Sequence, residues 1–171
     1  YPKLKPQFAK CFDACMFTSK ASFHNEDWTR EEKEAIHKCS QLVYGMGDFE
    51  PQSCKSKKGY SVTQEIRIGY VGTLDYAKLH PDFVKWLKAV IEWNPKVKFL
   101  IAGDPALELV DDVKCAEISN NVEFLGFRTD ISEILCQWDA FIYPLNPVNF
   151  ATTENALLEA MAAGLPVIST D

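Results

Sequence analysis

Nothing in this chain approaches the ~18 consecutive apolar residues of a membrane-spanning helix, so no helical span is expected. An excess of positive charge is also missing. Lys and Arg total 18 against 24 Asp and Glu, a net charge of −6, which argues against a general nucleic-acid binder with its basic surface. No two of the six cysteines, Cys11, Cys15, Cys39, Cys54, Cys115 and Cys136, form a C-x-x-C pair. A metal site wants closer spacing, so free, often buried thiols in a reducing compartment are expected. The dinucleotide fingerprint G-x-G-x-x-G and the P-loop are absent. Gly45-Met46-Gly47 reads as a plain turn. No internal repeat is visible. The opening Tyr1-Pro2-Lys3-Leu4-Lys5-Pro6 has no apolar region behind it and does not read as a signal peptide. It also lacks a starting Met, which suggests a piece of a longer protein.

What is present is globular composition, 47 % hydrophobic and 25 % charged over 171 residues, enough for one ordinary domain with a sizeable core. The second half alternates strand and helix patterns. Ile66 to Leu74 is a β-rich run. Pro81 to Trp93 has helical spacing, with Phe83, Val84, Leu87, Val90 and Ile91 on one face. Val97 to Ala102 reads as a buried strand, Ala106 to Ile118 as an amphipathic helix and Val122 to Phe127 as another strand. A short helix over Asp130 to Trp138 follows, which Thr129 or Asp130 can cap, then a strand from Ala140 to Tyr143. A last helix and the strand Pro166 to Ser169 close the chain. Such repeats predict an α/β fold with a doubly wound parallel sheet. Earlier, Phe12 to Thr18 and Gln41 to Tyr44 read as strands. Thr29 to Lys38 reads as a charged helix with a Thr29–Glu32 capping box, and residues 51–64 as a polar loop.

Ligands of open α/β sheets bind beyond the carboxyl ends of the strands. Four segments fall there, Gly72 to His80, Gly103 to Pro105, Gly126 to Thr129 and Pro144 to Glu154, and should converge on one crevice. The last helix is the most informative. Glu159 sits among Leu157, Leu158, Ala160 and Met161. A helix apolar all round is expected to be buried, and a buried carboxylate must meet a protein partner or a polyol ligand. Asn155 lies one turn before Glu159 on the same face, and Thr152 a further turn back at the helix mouth. A helix N-terminus suits a phosphate. A diphosphate at the mouth and a ribose diol on Glu159 would satisfy both demands.

The runs Ile66-Arg67-Ile68-Gly69-Tyr70-Val71-Gly72-Thr73-Leu74, Phe99-Leu100-Ile101-Ala102-Gly103, Val122-Glu123-Phe124-Leu125-Gly126-Phe127 and Ala140-Phe141-Ile142-Tyr143-Pro144-Leu145 precede Glu159-Ala160-Met161-Ala162-Ala163-Gly164-Leu165-Pro166-Val167-Ile168. In that order they resemble the nucleotide-sugar-binding, C-terminal half of the retaining GT-B glycosyltransferases of group 1 (family 4-like), over about residues 40–171. The resemblance implies a Rossmann-like donor domain, truncated here. It assigns residues 1–50 to the end of an acceptor domain and the interdomain connection, 51–64 to a loop and 65–171 to the nucleotide-sugar-binding domain.

Residue by residue, Glu159 matches the second Glu of the family's E-x7-E motif, which holds the ribose hydroxyls. The first Glu position is Ala151, and Glu154 is the nearest acid. Thr152, Thr153 and Asn155 imply helix-mouth donors to sugar and phosphate. The family's Arg after the first strand is replaced by Thr73, beside Gly72, while Lys78 fills the role of the diphosphate-binding Lys. Lys78 and Glu154 are the implied catalytic residues. His80 reads equally as a phosphate or sugar contact and as a helix-start residue. Phe127 and Arg128 follow the strand that meets the base. Asp75, Asp111, Asp112, Asp130 and Asp139 form no D-x-D pair, which fits metal-independent chemistry in which protein cations and a helix dipole stabilise the leaving diphosphate.

The implied activity is hexosyl transfer with retention from a UDP- or GDP-linked sugar, a substrate with no separate cofactor. The implied acceptor is a polysaccharide or lipid-linked glycan reached through an N-terminal domain. A cytoplasmic protein, or one at the inner face of the membrane, is expected, with no nucleic-acid partner and an isolated fragment unable to transfer. A degenerate module that binds nucleotide without transfer is the alternative, given Ala151 and Thr73. A flavodoxin-like receiver is disfavoured because Asp104 lacks acidic company.

Overall fold

The computed structural model describes residues 13–17, 24, 28–43, 64–148 and 154–170. They divide into two units, Tyr1–Gly47 with Phe150–Glu154, and Asp48–Asn149 with Asn155–Asp171.

In the first unit β1 (Cys15–Phe17) pairs in parallel with β2 (Ser40–Leu42), Cys15 opposite Ser40 and Phe17 opposite Leu42. Between them lies α1 (Arg30–His37). Thr29 starts it with the expected capping box. The Glu32 N–H donates to Thr29 Oγ1 at 3.3 Å and the Thr29 N–H to Glu32 Oε2 at 2.8 Å, so two orphan donors of the first turn are satisfied. Phe17, Trp28 and Ile36 form a small core.

The second unit runs β3 (Ile66–Val71), α2 (Phe83–Trp93), β4 (Val97–Ala102), α3 (Leu107–Cys115), β5 (Val122–Gly126), α4 (Ile131–Leu135), β6 (Ala140–Tyr143), α5 (Asn155–Ala162) and β7 (Val167–Ser169). The sheet order is β5-β4-β3-β6-β7, with every pair parallel. The chain therefore winds outward from β3 to β5, then returns to β6 on the other side of β3. Strands so placed are covered on both faces, which explains their near-continuous apolar runs. α2 buries Phe83, Val84, Leu87 and Ile91, the i, i+1, i+4, i+8 stripe of an amphipathic helix, while Val90 lies only half-buried at the margin. Asn94 leaves the helix in an extended conformation, as a residue before proline must, and Pro95 follows.

Tyr70, Phe83, Phe99, Phe141 and Tyr143 are the bulkiest fully buried side chains of this unit. Tyr143 stacks between Tyr70 and Phe141, with centroids at 5.8 and 6.0 Å. Gly69 makes room for this aromatic layer. A Cβ there would lie 1.7 Å from Cε3 of the buried Trp138. At the N-terminal end of the sheet Asp139 ties β6 to β3. Its carboxylate accepts the Arg67 N–H and its own N–H donates to the Arg67 carbonyl, each at 2.7 Å.

Four sequence readings are corrected. β3 ends at Val71 rather than Leu74, because Gly72 turns at φ +154°. Asp130 stands at the start of α4 without capping it, since its carboxylate is engaged by Arg128. α5 is not buried all round. Ala160 alone is buried in it and Met161 is 59 % exposed, because the helix packs chiefly against β6 and β7 at one side of the sheet. Cys136 is disulfide-bonded rather than free, whereas Cys15, Cys39 and Cys115 are free thiols. The loop expected over residues 51–64 lies outside the described residues except for its last position.

Candidate functional site

Winding direction reverses between β3 and β6, and ligands of such sheets bind where that reversal opens a crevice at the strands' carboxyl ends. β3 and β6 pair only at Ile68–Ala140 and Gly69–Phe141. Their ladder stops two residues before either strand ends, so the crevice begins inside the sheet. The loops that follow the strands meet around it, as their sequence positions suggested. Leu74 bridges Pro105, Gly103 bridges Gly126, and Leu79 bridges Leu145.

Two glycines permit this convergence. The Gly72 N–H donates to the Ala102 carbonyl at 3.1 Å. Gly103 has φ +140°, and a Cβ on it would come within 2.2 Å of the Gly72 carbonyl oxygen. Only a residue without a side chain lets these two turns touch. Thr73 is exposed, and its carbonyl accepts from the Tyr70 hydroxyl at 3.0 Å. That bond satisfies the polar tip of a ring otherwise sealed in the core.

Lys78 sits on the loop beyond β3. Its N–H donates to the Asp75 carbonyl and to Asp75 Oδ1, both at 3.1 Å. Its carbonyl accepts from the Asn146 N–H at 2.8 Å. The ammonium lies 5.5 Å from the centroid of the Tyr143 ring, within cation–π range, and so at the carboxyl end of β6. This cation belongs to the crevice. Tyr76, two residues earlier, anchors the loop outward. Its hydroxyl bonds the Asp112 carboxylate of α3, and burial, then this acceptor, hold the phenol far above its ordinary range. His80 behaves as a helix-start residue. Its Nδ1 accepts the Asp82 N–H at 3.1 Å and its ring stacks on Trp86 at 4.2 Å.

Glu159 is half-buried on α5. Burial pushes its carboxyl above the ordinary carboxylate value, and no compensating donor offsets that cost among the described residues. Asn155 opens the same helix and is exposed. Thr152, Thr153 and Ala151 lie outside the described residues, and Glu154 falls in the other unit. Phe127 is 76 % exposed just past β5. Arg128 beside it is held by Asp130, Nε to Oδ1 at 2.8 Å with a second bond from Nη2 to Oδ2. Its charge is thus already matched by a neighbour.

A cavity of about 650 Å³ lies elsewhere, lined by Glu65, Arg67, Lys98, Asn121, Arg128 and Trp138 among others. It opens largely among residues at the amino ends of the strands, and several of its charges are engaged within the protein. Arg67 pairs with Glu65, and Lys98 bonds the Asn120 carbonyl at 2.6 Å. The crevice, not this cavity, holds the convergent cation and glycine turns. Tyr76 and Asn146 fall in segments the sequence placed at the crevice but were not singled out there, and Tyr143 was read only as a strand end. The dipeptide Asn146-Pro147 was the one local signal, a turn former before proline.

The family profile described as glycosyl transferases group 1 matches residues 65–171. N-acetyl-alpha-D-glucosaminyl L-malate synthase of Bacillus anthracis is 28 % identical over 136 residues, covering 76 % of this chain and 35 % of that protein. The chain thus spans about a third of this relative's length. Among solved structures, Anabaena HepE in complex with UDP and glucose superposes with a TM-score of 0.67 at 22 % identity, over 95 % of this chain and 46 % of that one. The C-terminal domain of a glycosyl transferase group 1 family protein from Francisella tularensis gives 0.51 at 23 % identity, covering 62 % and 58 %.

Proposed function

The chain belongs to the group 1 glycosyl transferases, as the donor domain of a GT-B enzyme, and from that premise we propose that its crevice binds a nucleoside-diphosphate sugar for retaining transfer. The observation that carries this reading is Lys78, held at the switch point between β3 and β6 with its ammonium 5.5 Å from the Tyr143 ring. Lys78 neutralises the diphosphate. The glycine turns at Gly72 and Gly103 bring the loops after β3 and β4 together beside the ligand, and Thr73 stands at the lip. The N-terminal turn of α5, with Asn155 and the preceding Thr152 and Thr153, adds N–H donors to phosphate and sugar. Glu159 accepts the ribose diol. Phe127 and the backbone beyond β5 meet the base, and Arg128, bound to Asp130, borders that end.

In transfer the bond from the sugar's anomeric carbon to the diphosphate breaks as the acceptor oxygen bonds that carbon. The diphosphate leaves with the electron pair, and the acceptor's proton passes to it. In this proposal Lys78 and the α5 dipole meet that developing charge, and Glu154 is the second catalytic residue, as the family resemblance implies. The UDP complex of HepE supports testing a uridine donor first, with a guanosine donor second. A polysaccharide or lipid-linked glycan is the proposed acceptor, brought by a second domain, in a cytoplasmic enzyme that works at or near the membrane face. Among the described residues no helix is long and apolar enough to cross a membrane.

A thermal-shift panel of UDP, GDP and ADP tests the reading. A ligand at ~100 times its dissociation constant should stabilise the protein by about 2.7 kcal/mol. No shift with any of the three contradicts donor binding. Thr73 and Ala151, in place of the family's Arg and first Glu, favour a second reading, a module that binds nucleotide without transferring. Nucleotide binding without release of UDP from UDP-sugar by the complete enzyme distinguishes it.

A further inference from the structure

We propose that Asn146 is the positioning residue that fixes Lys78 at the donor diphosphate. The proposal rests on the donor-site reading above and extends it to a residue that contributes no charge of its own.

Asn146 follows β6 and commits three polar groups at once. Its N–H donates to the Lys78 carbonyl and its Nδ2 to the Tyr76 carbonyl, both at 2.8 Å, while its Oδ1 accepts the Val148 N–H at 2.9 Å. The two carbonyls it takes flank Ala77 on the loop beyond β3. Lys78 is therefore held on both sides of its Cα, its N–H by Asp75 and its carbonyl by Asn146.

The place of this bracket gives it a function. The β3–β6 ladder ends at Gly69 and Phe141, so no sheet hydrogen bond joins the two strands along the crevice. The loops rejoin only beyond it, through the His80 N–H on the Pro144 carbonyl at 2.8 Å and through Asn146. His80 fixes the far end of the loop, and Asn146 fixes the part that carries the cation. A lysine side chain is long and flexible, so its ammonium is only as well placed as the backbone beneath it. Positional precision of this kind governs charge stabilisation of a leaving group.

The chemistry also selects the residue. A short amide donates and accepts at once. An aspartate keeps the Val148 bond but turns an oxygen toward the Tyr76 carbonyl, and an alanine loses both side-chain bonds. Pro147 disfavours a helical conformation at Asn146, which suits a residue whose N–H and side chain both reach across. Asp139 does the matching work at the other end of the same strand pair, where its carboxylate and N–H bracket Arg67. The two brackets leave the switch point pinned at both ends and open between them.

Calorimetric titration of the full chain with UDP and GDP, and with uridine and guanosine, tests the proposal in wild type, Asn146→Ala, Lys78→Ala and the double variant. Asn146→Ala should weaken the bound diphosphate about tenfold and change the matching nucleoside less than twofold. Added to Lys78→Ala it should cost less than twofold more, because it acts through Lys78. Equal losses for diphosphate and nucleoside overturn the proposal in favour of a general structural role, and additive losses show a separate contact. Asn146→Ser keeps a short acceptor for the Val148 N–H but does not reach Tyr76, and gives the same comparison if the alanine variant fails to fold. If wild type binds neither diphosphate, the donor-site reading itself fails. If wild type binds and Asn146→Ala matches it, only the positioning role fails.

Discussion

Replacing Glu159 by Gln should move stability and affinity in opposite directions. The carboxylate is half-buried, and desolvation alone pushes its pKa up. A group whose folded pKa lies above its unfolded value stabilises the fold below the unfolded pKa, and that increment is lost as pH rises through the folded one. At neutral pH the unliganded protein therefore bears an uncompensated carboxylate. Glu159→Gln removes it, so the variant should be as stable as wild type at pH 7, or slightly more so. Binding should suffer. A carboxylate can accept both hydroxyls of a ribose diol, while the amide keeps one uncharged acceptor. Hydrogen bonds to charged groups contribute about 1.5–3 kcal/mol, or roughly 10- to 150-fold in affinity at 1.4 kcal/mol per tenfold. The wild-type affinity should also fall as pH drops through the raised pKa of Glu159, and the variant should not follow it there. Thermal melts from pH 4 to 8 and calorimetry with the cognate diphosphate measure both quantities. A stability loss above ~3 kcal/mol with unchanged affinity would mark Glu159 as half of a structural ion pair and refute the reasoning.

Lys78→Ala should weaken the nucleoside diphosphate at least tenfold and leave the bare nucleoside within twofold in the same titrations; equal losses contradict a phosphate role. Gly69→Ala drives a methyl into Trp138, 1.7 Å from Cε3. It should destabilise by about 1–3 kcal/mol, lowering the melting temperature by roughly 2–4 °C per kcal/mol for a chain of this size. An unchanged melt would show that the indole is not fixed there. Tyr76→Phe leaves Asp112 without its donor and should cost about 1 kcal/mol in denaturant unfolding, with hydrogen exchange in residues 75–79 rising first. Uniform exchange across the sheet would contradict a local anchor.

The parts of the fold that could be read from the chain are those written in short-range pattern. Val97–Ala102 and Ala140–Tyr143 were placed to the residue because each is a largely apolar run, interrupted only by Lys98 in the first, and stopped by a Gly or Pro. The α1 capping box was readable because its two partners lie three residues apart. The convergence of four loops followed from strand direction alone. Long-range bonds leave no such trace. Asn146 and Tyr76 are separated by 70 residues and meet through a side chain on a backbone carbonyl, which no periodicity marks. Nothing in the run Ile66 to Leu74 marks Gly69 as the place where Trp138 packs. The composition of α5 suggested a buried helix, yet it packs chiefly against β6 and β7, so Met161 stays exposed. Arg128 was placed at the base end by its position after β5, but nothing in the sequence order showed that Asp130, two residues away, takes its guanidinium. Around the candidate site, the order of the strands and loops was therefore legible, and the scaffold between them was not.

Titration calorimetry of this chain with UDP and GDP tests the central claim most directly. The account predicts saturable one-to-one binding of at least one of them, lost at least tenfold in Lys78→Ala and in Glu159→Gln while both variants keep the wild-type melting temperature within a few degrees. Absence of binding by either nucleotide, or binding that both variants retain in full, would contradict it.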